Sequence, residues 1–296
     1  MFLTHDCLPA RVLARYFVVS MSIGLAGAGA ASAADAPPPS WFHFSPAELR
    51  GNGLDPVDDS SSTPNEVPTA ALVAQRLKST QIGDSLFLIY QLEKGSLSIT
   101  GLPGDEFLQI QAGGAEFTDS AGVSKRYRAG DILIWPRAWR GTVVIEGPYR
   151  EQTVLPGSWG PALAGKPVDN AGVPVRPIQR VDPDQRIGAG CRRPTPAFGK
   201  ALTAASLCGK QIYRGDIRVQ LQEAAHACAY RIDGWKSERF MRVLSGSITL
   251  ISAGTSVSFP AGETIAVAAT FQGDLRFSKG YRGLLVTPRG AESQVE

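Results

Sequence analysis

Few side chains in this sequence are placed to do chemistry, and Glu106 comes first among them. It stands between Asp105 and Phe107, at the start of an apolar run. A carboxyl group that points into a protein interior loses hydration, and it can then act as a general base or hydrogen-bond a ligand. The alternative is that Asp105 and Glu106 form a turn that faces water.

Two tryptophans, Trp135 and Trp139, stand on either side of Pro136. Large aromatic rings at a pocket stack on planar or sugar ligands, but they also fill hydrophobic cores. We therefore interpret both tryptophans as ligand-binding candidates, with core packing as the alternative.

A Tyr-Arg pair occurs twice, and further arginines gather around its second copy. If these cations face inward, they form a pocket for an anion such as a carboxylate. If they face outward, they belong to a solvated strand face, and only the strand register separates the two cases. The candidates are Tyr149, Arg150, Arg239, Arg242, Tyr281 and Arg282.

Several functional classes find no support in the sequence. The three histidines are His5, His43 and His226, and they are not spaced as metal ligands are. No nucleophile elbow, phosphate-binding loop, dinucleotide fingerprint or Cys-x-x-Cys motif occurs. The net charge of +3 comes without a run of Lys and Arg, so no nucleic-acid partner is expected. We predict no metal and no cofactor.

The elements that carry these candidates repeat along the chain. The stretch Asp105–Tyr149 alternates apolar and polar residues between glycine-rich turns, which is typical of antiparallel strands. Much of it recurs about 132 residues later, in Ser237–Tyr281. Gly122, Gly130, Gly141, Tyr149 and Arg150 recur as Gly254, Gly262, Gly273, Tyr281 and Arg282, and Gly113 recurs as Gly246 with a one-residue slip. Matched glycines imply matched turns, so the sequence predicts two copies of one β domain.

The N-terminus has the pattern of a secretory signal peptide over residues 1–33. Arg11 and Arg15 precede the apolar run Phe17–Ala30, and Ala31–Ala33 is a small-residue cleavage site. We predict export to the periplasm or the medium, cleavage of the signal, and no stable membrane association afterwards.

Composition divides the rest of the chain. Residues 34–82 are rich in Pro, Ser, Asn and Asp and predict an arm, and 83–157 predict a first β domain. Residues 158–186 predict a Pro/Gly-rich linker, and 187–296 a second β domain. Within the arm, Ala70–Lys78 fits either a short helix or a first strand.

Export would leave three cysteines in the mature chain, since Cys7 lies in the signal. One disulfide and one leftover thiol are then expected. A Cys191–Cys208 bridge would tie the start of the second domain to its first strand, and Cys228 lies in an apolar run that favours a buried thiol. The pairing stays open, because spacing alone does not fix it.

The order of the motifs resembles that of the cupin family. Asp105–Phe107 is followed by Ala129–Asp131 and then by Pro136, Trp139 and Gly141, as in the cupin group that includes (S)-ureidoglycine aminohydrolase. The resemblance covers about two thirds of the chain. It implies an all-β fold of two tandem cupin-type double-stranded β-helix (jelly-roll) barrels.

One motif of metal-binding cupins is missing. Such cupins place His-x-His shortly before the Glu, and the corresponding positions here fall near Thr100 and Leu102. The second-copy counterpart of Glu106 is Arg239. A His-based metal site is therefore not expected.

Three hypotheses of function follow. The first is an exported, metal-free bicupin that binds a small polar or acidic ligand in one or both barrels. The second is an enzyme in which Glu106 serves as acid or base on a small ureido, amide or sugar-acid compound. The third is a structural role, in which the barrels pack together or form a homodimer and the pockets are vestigial. The first copy is favoured as the functional one, because it keeps Glu106 and Pro136.

Overall fold

The computed structural model describes residues 40–57, 63–188 and 199–289, in which antiparallel strands are the dominant secondary structure. The first half contains strands β1 Trp41–His43, β2 Asp55–Pro56, β3 Glu66–Val73, β4 Arg76–Ile82, β5 Ser85–Leu92, β6 Lys94–Ile99, β7 Glu106–Ala112, β8 Gly114–Asp119, β9 Ser124–Arg128, β10 Ile132–Trp135, β11 Gly141–Ile145 and β12 Tyr149–Leu155, with the short helix α1 Pro46–Leu49. The second half contains a 3-10 turn Gly157–Trp159, helix α2 Gly160–Leu163, and strands β13 Gln179–Val181, β14 Lys200–Ala201, β15 Cys208–Arg214, β16 Ile217–Ala224, β17 Cys228–Asp233, β18 Arg239–Ser245, β19 Ser247–Ser252, β20 Thr255–Pro260, β21 Thr264–Val267, β22 Gln272–Phe277 and β23 Tyr281–Pro288. Among the described helices, none has the length and apolar character needed to span a bilayer.

The strands form two barrels, each made of two facing sheets. The first barrel combines the sheet β13-β10-β7-β12-β5-β4-β2 with the sheet β3-β6-β11-β8-β9. The second combines β1-β21-β18-β23-β16-β15 with β14-β17-β22-β19-β20. Apolar side chains from both sheets of a pair meet in one core inside each barrel. The predicted fold class, two tandem cupin-type jelly-roll barrels, is confirmed.

The repeat in the sequence is a repeat in backbone geometry. In the first barrel Glu106 pairs with Trp135, and in the second Arg239 pairs with Val267. The glycines that follow β7 and β18 have left-handed φ angles of 68° at Gly113 and 72° at Gly246. The one-residue slip arises because the β8–β9 hairpin is one residue longer than the β19–β20 hairpin, since Gly114 pairs with Arg128 whereas Ser247 pairs with Pro260.

Each barrel also contains a strand from outside its own repeat. β1 pairs with β21 of the second barrel, and β13 pairs with β10 of the first. The segment predicted as an arm, 34–82, also supplies β3 and β4, which pair with β6 and β5 of the first barrel. A Pro-containing segment can do this because β3 is an edge strand, where a missing N–H leaves no ladder bond unmade. The segment Ala70–Lys78 is therefore in strands.

The outer faces of the two large sheets pack against each other. Alternation along β16 explains how: Ile217, Val219 and Leu221 point toward the first barrel and join the core between the barrels. The residues between them point into the second barrel, because successive side chains of a strand face opposite sides. This register decides which polar side chains enter each barrel.

Two acidic residues bind the barrels to each other in a reciprocal way. Asp105 precedes β7 and accepts hydrogen bonds from the Tyr213 hydroxyl, at 2.9 Å, and from Ile217 N, at 3.3 Å, both in the second barrel. Its counterpart Glu238 precedes β18 and accepts a 2.5 Å bond from the hydroxyl of Ser85 in the first barrel. Asp105 and Glu106 therefore do not form a turn that faces water.

The cysteines are partly described. Cys208 is in a disulfide, whereas Cys228 is a free thiol that is 2% exposed. The partner of Cys208 therefore lies outside the described residues, as does Cys191. The predicted signal peptide, residues 1–33, lies outside them too.

Candidate functional site: two barrel interiors of opposite charge

Glu106 lies on the inner face of β7, as its alternation with the outward Phe107 requires. Two further carboxyl groups act on it electrostatically: Glu151 from β12 and Glu66 from β3. Glu66 also accepts a 2.9 Å hydrogen bond from the hydroxyl of Thr63. Three acidic side chains from three strands thus share the interior of the first barrel.

The pKa of each of these carboxyl groups is raised, and burial is the largest cause every time. For Glu106 the neighbouring charges of Glu151 and Glu66 raise the pKa further. The pKa of Glu151 rises to about 7, although a hydrogen bond from the hydroxyl of Tyr149 favours its ionised form. Glu66 and Glu151 still keep some exposure to solvent, so the chamber is connected to water.

The aromatic candidates of the first barrel lie inside it. Tyr149 is 3% exposed and donates to Glu151. Trp135 and Trp139 are buried and pack edge-on with ring centroids 5.2 Å apart, and Phe117 packs against both. Trp139 is a core residue, whereas Trp135 stands directly across from Glu106 in the strand pair.

The second barrel reverses this charge at the corresponding positions. Arg239 replaces Glu106, and Arg218 replaces Leu86. Gly283 replaces Glu151, so the hydroxyl of Tyr281, which corresponds to that of Tyr149, is buried and has no hydrogen-bond partner among the described residues. These exchanges remove two acids and add two cations.

Arg239 and Arg218 are close enough to affect each other. Burial, and after it the positive charge of Arg218, together lower the pKa of Arg239 to about 10. The guanidinium of Arg239 lies over the ring of Trp235, 4.9 Å from its centroid, and contacts the hydroxyl of Thr287 at 3.4 Å. Among the described residues, no carboxylate lies within 4 Å of the guanidinium of Arg218.

The other predicted arginines do not join this group. Arg150 donates to Gln91 at 3.1 Å, on the outer face of the first barrel.

Arg282 holds the linker by donating to the carbonyls of Pro183 and Gln185 at 2.6 and 2.7 Å, and pairs with Glu223 at 3.3 Å. Arg242 donates to the carbonyl of Gly262, also on an outer face. The predicted pocket of Arg239, Arg242 and Arg282 is therefore not formed.

Arg218 is a site residue that sequence reasoning missed. It stands in the run Ile217–Ala224, where apolar residues at every second position predict a strand with its remaining side chains on the opposite face. Comparing the two copies position by position would have found it, because a leucine in one copy becomes an arginine in the other.

The residues present do not fit the metal site of the cupin family. The two positions expected for His-x-His carry Thr100 and Leu102, and Leu102 is fully buried in the apolar core. In the second barrel the position of the ligand carboxylate is occupied by Arg239, a cation. Over the described ranges, no three His, Cys, Asp or Glu side chains are grouped so that they could hold a metal ion.

A surface cleft of about 440 Å³ lies outside both barrels, between the linker and β15. Two of the residues that line it, Arg176 and Tyr213, contact Asp105. The cleft therefore belongs to the contact between the barrels rather than to either interior.

Fold and interior together define a protein with two cupin-type barrels of opposite interior charge. No family model matches the sequence, and a search of curated proteins finds no match. A protein of unknown function of the DUF861 family from Pseudomonas syringae pv. tomato is similar in structure, with a TM-score of 0.59 and 14% identity over 84% of this chain and 99% of that chain.

Two other solved structures resemble the chain less. Protein Ylba from E. coli, also of the DUF861 family, has a TM-score of 0.48 and 12% identity over 85% of this chain and 93% of its own. A cupin 2 conserved barrel domain protein from Leptotrichia buccalis has a TM-score of 0.48 and 9% identity over 80% of this chain and 100% of its own. At such identities the likeness concerns the fold alone.

Proposed function

We propose that the chain binds a small organic acid inside its second barrel. The observation that carries the proposal is the pair of inward guanidinium groups of Arg218 and Arg239. The two partly buried guanidinium groups repel each other, and a bound anion would relieve that repulsion; a carboxylate matches the planar fork of an arginine.

The surroundings of the pair indicate what else the acid carries. The ring of Trp235 stacks on Phe271 with centroids 6.0 Å apart, and it offers a flat apolar wall beside Arg239. Further along the same barrel interior, beside Gly283, the Gln222 amide oxygen and the Tyr281 hydroxyl are buried and have no hydrogen-bond partner among the described residues. Such groups favour a ligand that donates and accepts hydrogen bonds, as a hydroxy acid does.

The test is isothermal titration calorimetry at pH 7 with lactate, succinate and benzoate, and with methylammonium chloride as the opposite charge. At least one acid should bind, and Arg218→Gln and Arg239→Gln should each weaken its binding at least tenfold. Arg276→Gln is the matched control, because Arg276 is 58% exposed on the outside of the same barrel. Equal effects of Arg239→Gln and Arg276→Gln, or no binding of any acid at millimolar concentration, would contradict the proposal.

The second candidate function is the enzymatic one, in which Glu106 transfers a proton to a small ureido or amide compound. Burial and the charges of Glu151 and Glu66 raise the pKa of Glu106, which favours the protonated form that a proton donor needs. The grouping with (S)-ureidoglycine aminohydrolase remains a prediction from the motif resemblance. Turnover of a ureido substrate that survives in folded Glu106→Gln would rule out this role.

We also propose that the protein is exported after loss of residues 1–33. The disulfide at Cys208 supports this, because such bonds persist in oxidising compartments. Mass spectrometry of the protein from a periplasmic fraction should give a chain that begins at Ala34. A chain of full length confined to the cytosol would contradict the proposal.

A further inference from the structure

The interior of the first barrel has the features of a second, separate site. The acidic chamber, as we call it, consists of Glu66, Glu106 and Glu151 with the neighbouring Trp135 and Thr153. Its carboxyl groups come from β3, β7 and β12, so the closed barrel holds them together although they are far apart in the sequence.

Among the described residues, no cation acts on the carboxyl groups of Glu106 and Glu151 in the acidic chamber. The charges that act on Glu106 are those of Glu151 and Glu66, and the charge that acts on Glu151 is that of Glu66. No described Arg or Lys side chain contributes to either, and the other titratable groups facing them are the hydroxyls of Tyr149 and Tyr90. Ionisation of all three acids therefore requires positive charge from outside the chain.

Two polar groups of the chamber are buried and form no hydrogen bond with any residue in the described part of the chain. One is the hydroxyl of Thr153, a residue 1% exposed. This hydroxyl lies beside Glu106 and lowers the pKa of that carboxyl, but the two groups are not oriented as a regular hydrogen bond requires. The indole N–H of Trp135, a residue 7% exposed whose backbone pairs with that of Glu106, likewise has no hydrogen-bond partner among the described residues. Buried polar groups are almost always paired in folded proteins, so these two indicate a missing partner.

The chemistry of the walls narrows the class of that partner. Thr153 Oγ1 and the carboxylates accept hydrogen bonds, which suits N–H donors on the ligand, whereas the indole N–H of Trp135 needs an acceptor such as a hydroxyl oxygen. The aromatic rings of Trp135 and Tyr149 present faces that attract an organic ammonium group. We infer that the first barrel binds a small organic amine in its ammonium form, while the second barrel binds an acid.

The experiment is calorimetric titration of the full mature protein with ethanolamine hydrochloride and with butane-1,4-diamine dihydrochloride. Binding is expected at pH 8. At pH 5.5, where the carboxyl groups regain protons, binding should be at least tenfold weaker. Glu106→Gln should weaken binding at pH 8 at least tenfold, whereas Glu116→Gln should leave it unchanged, because Glu116 is exposed on the outer side of β8.

Further arms keep the inference falsifiable. If Glu106→Gln does not fold, Thr153→Val replaces it, with near-ultraviolet circular dichroism as the check on folding. Arg239→Gln should not affect amine binding, so failure of the acid site and failure of the amine site are distinguishable. Three results would overturn the inference. The first is that neither amine binds at about 10 mM, a concentration at which even a very weak site would be occupied. The others are that Glu106→Gln binds amine as well as the unchanged protein does, or that a Mn²⁺ ion occupies the chamber and is not displaced by amine.

Discussion

The reciprocal acidic contacts between the barrels lead to the most quantitative prediction. Asp105 is fully buried and accepts from Arg137 N at 2.8 Å, from the Tyr213 hydroxyl at 2.9 Å and from Ile217 N at 3.3 Å. Asp105→Ala leaves these three donors without an acceptor, and each buried unsatisfied donor costs about 1–3 kcal/mol. The ion pair with the half-exposed Arg176 adds at most about 1 kcal/mol.

We expect Asp105→Ala to lower the free energy of unfolding by about 3–5 kcal/mol, the range for removing one member of a buried charged network. The assay is equilibrium unfolding in urea, followed by tryptophan fluorescence. Asp119→Ala is the matched control, because the Asp119 carboxylate accepts from Ala121 N and Val123 N in an exposed turn. A loss of less than about 1 kcal/mol for Asp105→Ala, or one equal to that of the control, would refute the reasoning.

Three further predictions concern protons, a thiol and a turn. The free energy of unfolding should fall as pH rises from about 4 through about 7, because the carboxyl of Glu151, with its pKa raised to about 7, keeps its proton in the folded barrel after the unfolded chain has lost it. Urea unfolding across this range should show a weaker dependence of stability on pH for Glu151→Gln. An unchanged dependence would contradict the prediction. Cys228 should not react with a thiol reagent at pH 8 until the protein unfolds, because the thiol is buried and its pKa is raised to about 11; peptide mapping that finds it modified in the native protein would oppose this. In thermal unfolding, Gly113→Ala should lower the melting temperature far more than Gly122→Ala does. A Cβ at Gly113 would stand 1.8 Å from the carbonyl oxygen of Pro148, whereas one at Gly122 meets nothing within 4 Å. Equal decreases in melting temperature would argue against the turn geometry.

The fold could be predicted from the sequence because it depends on repetition. Glycine is favoured where a turn has a positive φ, so the positions of Gly113 and Gly246 carry the turn geometry of both copies. The edge strands could not be predicted in the same way. β1 and β13 are three residues long, and their pairing partners lie in the other repeat, so no local pattern identifies them.

The candidate site was predictable only in part, because it depends on register. Glu106 and Arg239 were identified from their place in the repeat. Arg242 stands three residues after Arg239 on the same strand, and an odd separation places it on the opposite face. Glu66 was not predicted as a site residue, because it lies in a segment with the composition of an extended arm. Only the closure of the barrel brings it near Glu106.

The same register argument explains how one fold holds two kinds of interior. The backbone of both copies is set by turns and by the apolar core, which tolerate exchanges at inward positions near the end of the barrel. Exchanging Glu106 for Arg239 and Leu86 for Arg218 therefore reverses the charge while the strand pairs stay the same. Sequence differences between repeats are thus a direct guide to where ligands differ.

The central claim, that the second barrel holds an acid between its two inward arginines, can be tested by diffraction. Crystals of the mature protein soaked in bromoacetate should show an anomalous bromine peak inside the second barrel, with the carboxylate bonded to Arg218 and Arg239. The first barrel, lined by acids, should show none. Bromine found only on the outer surface, or inside the first barrel, would contradict the account.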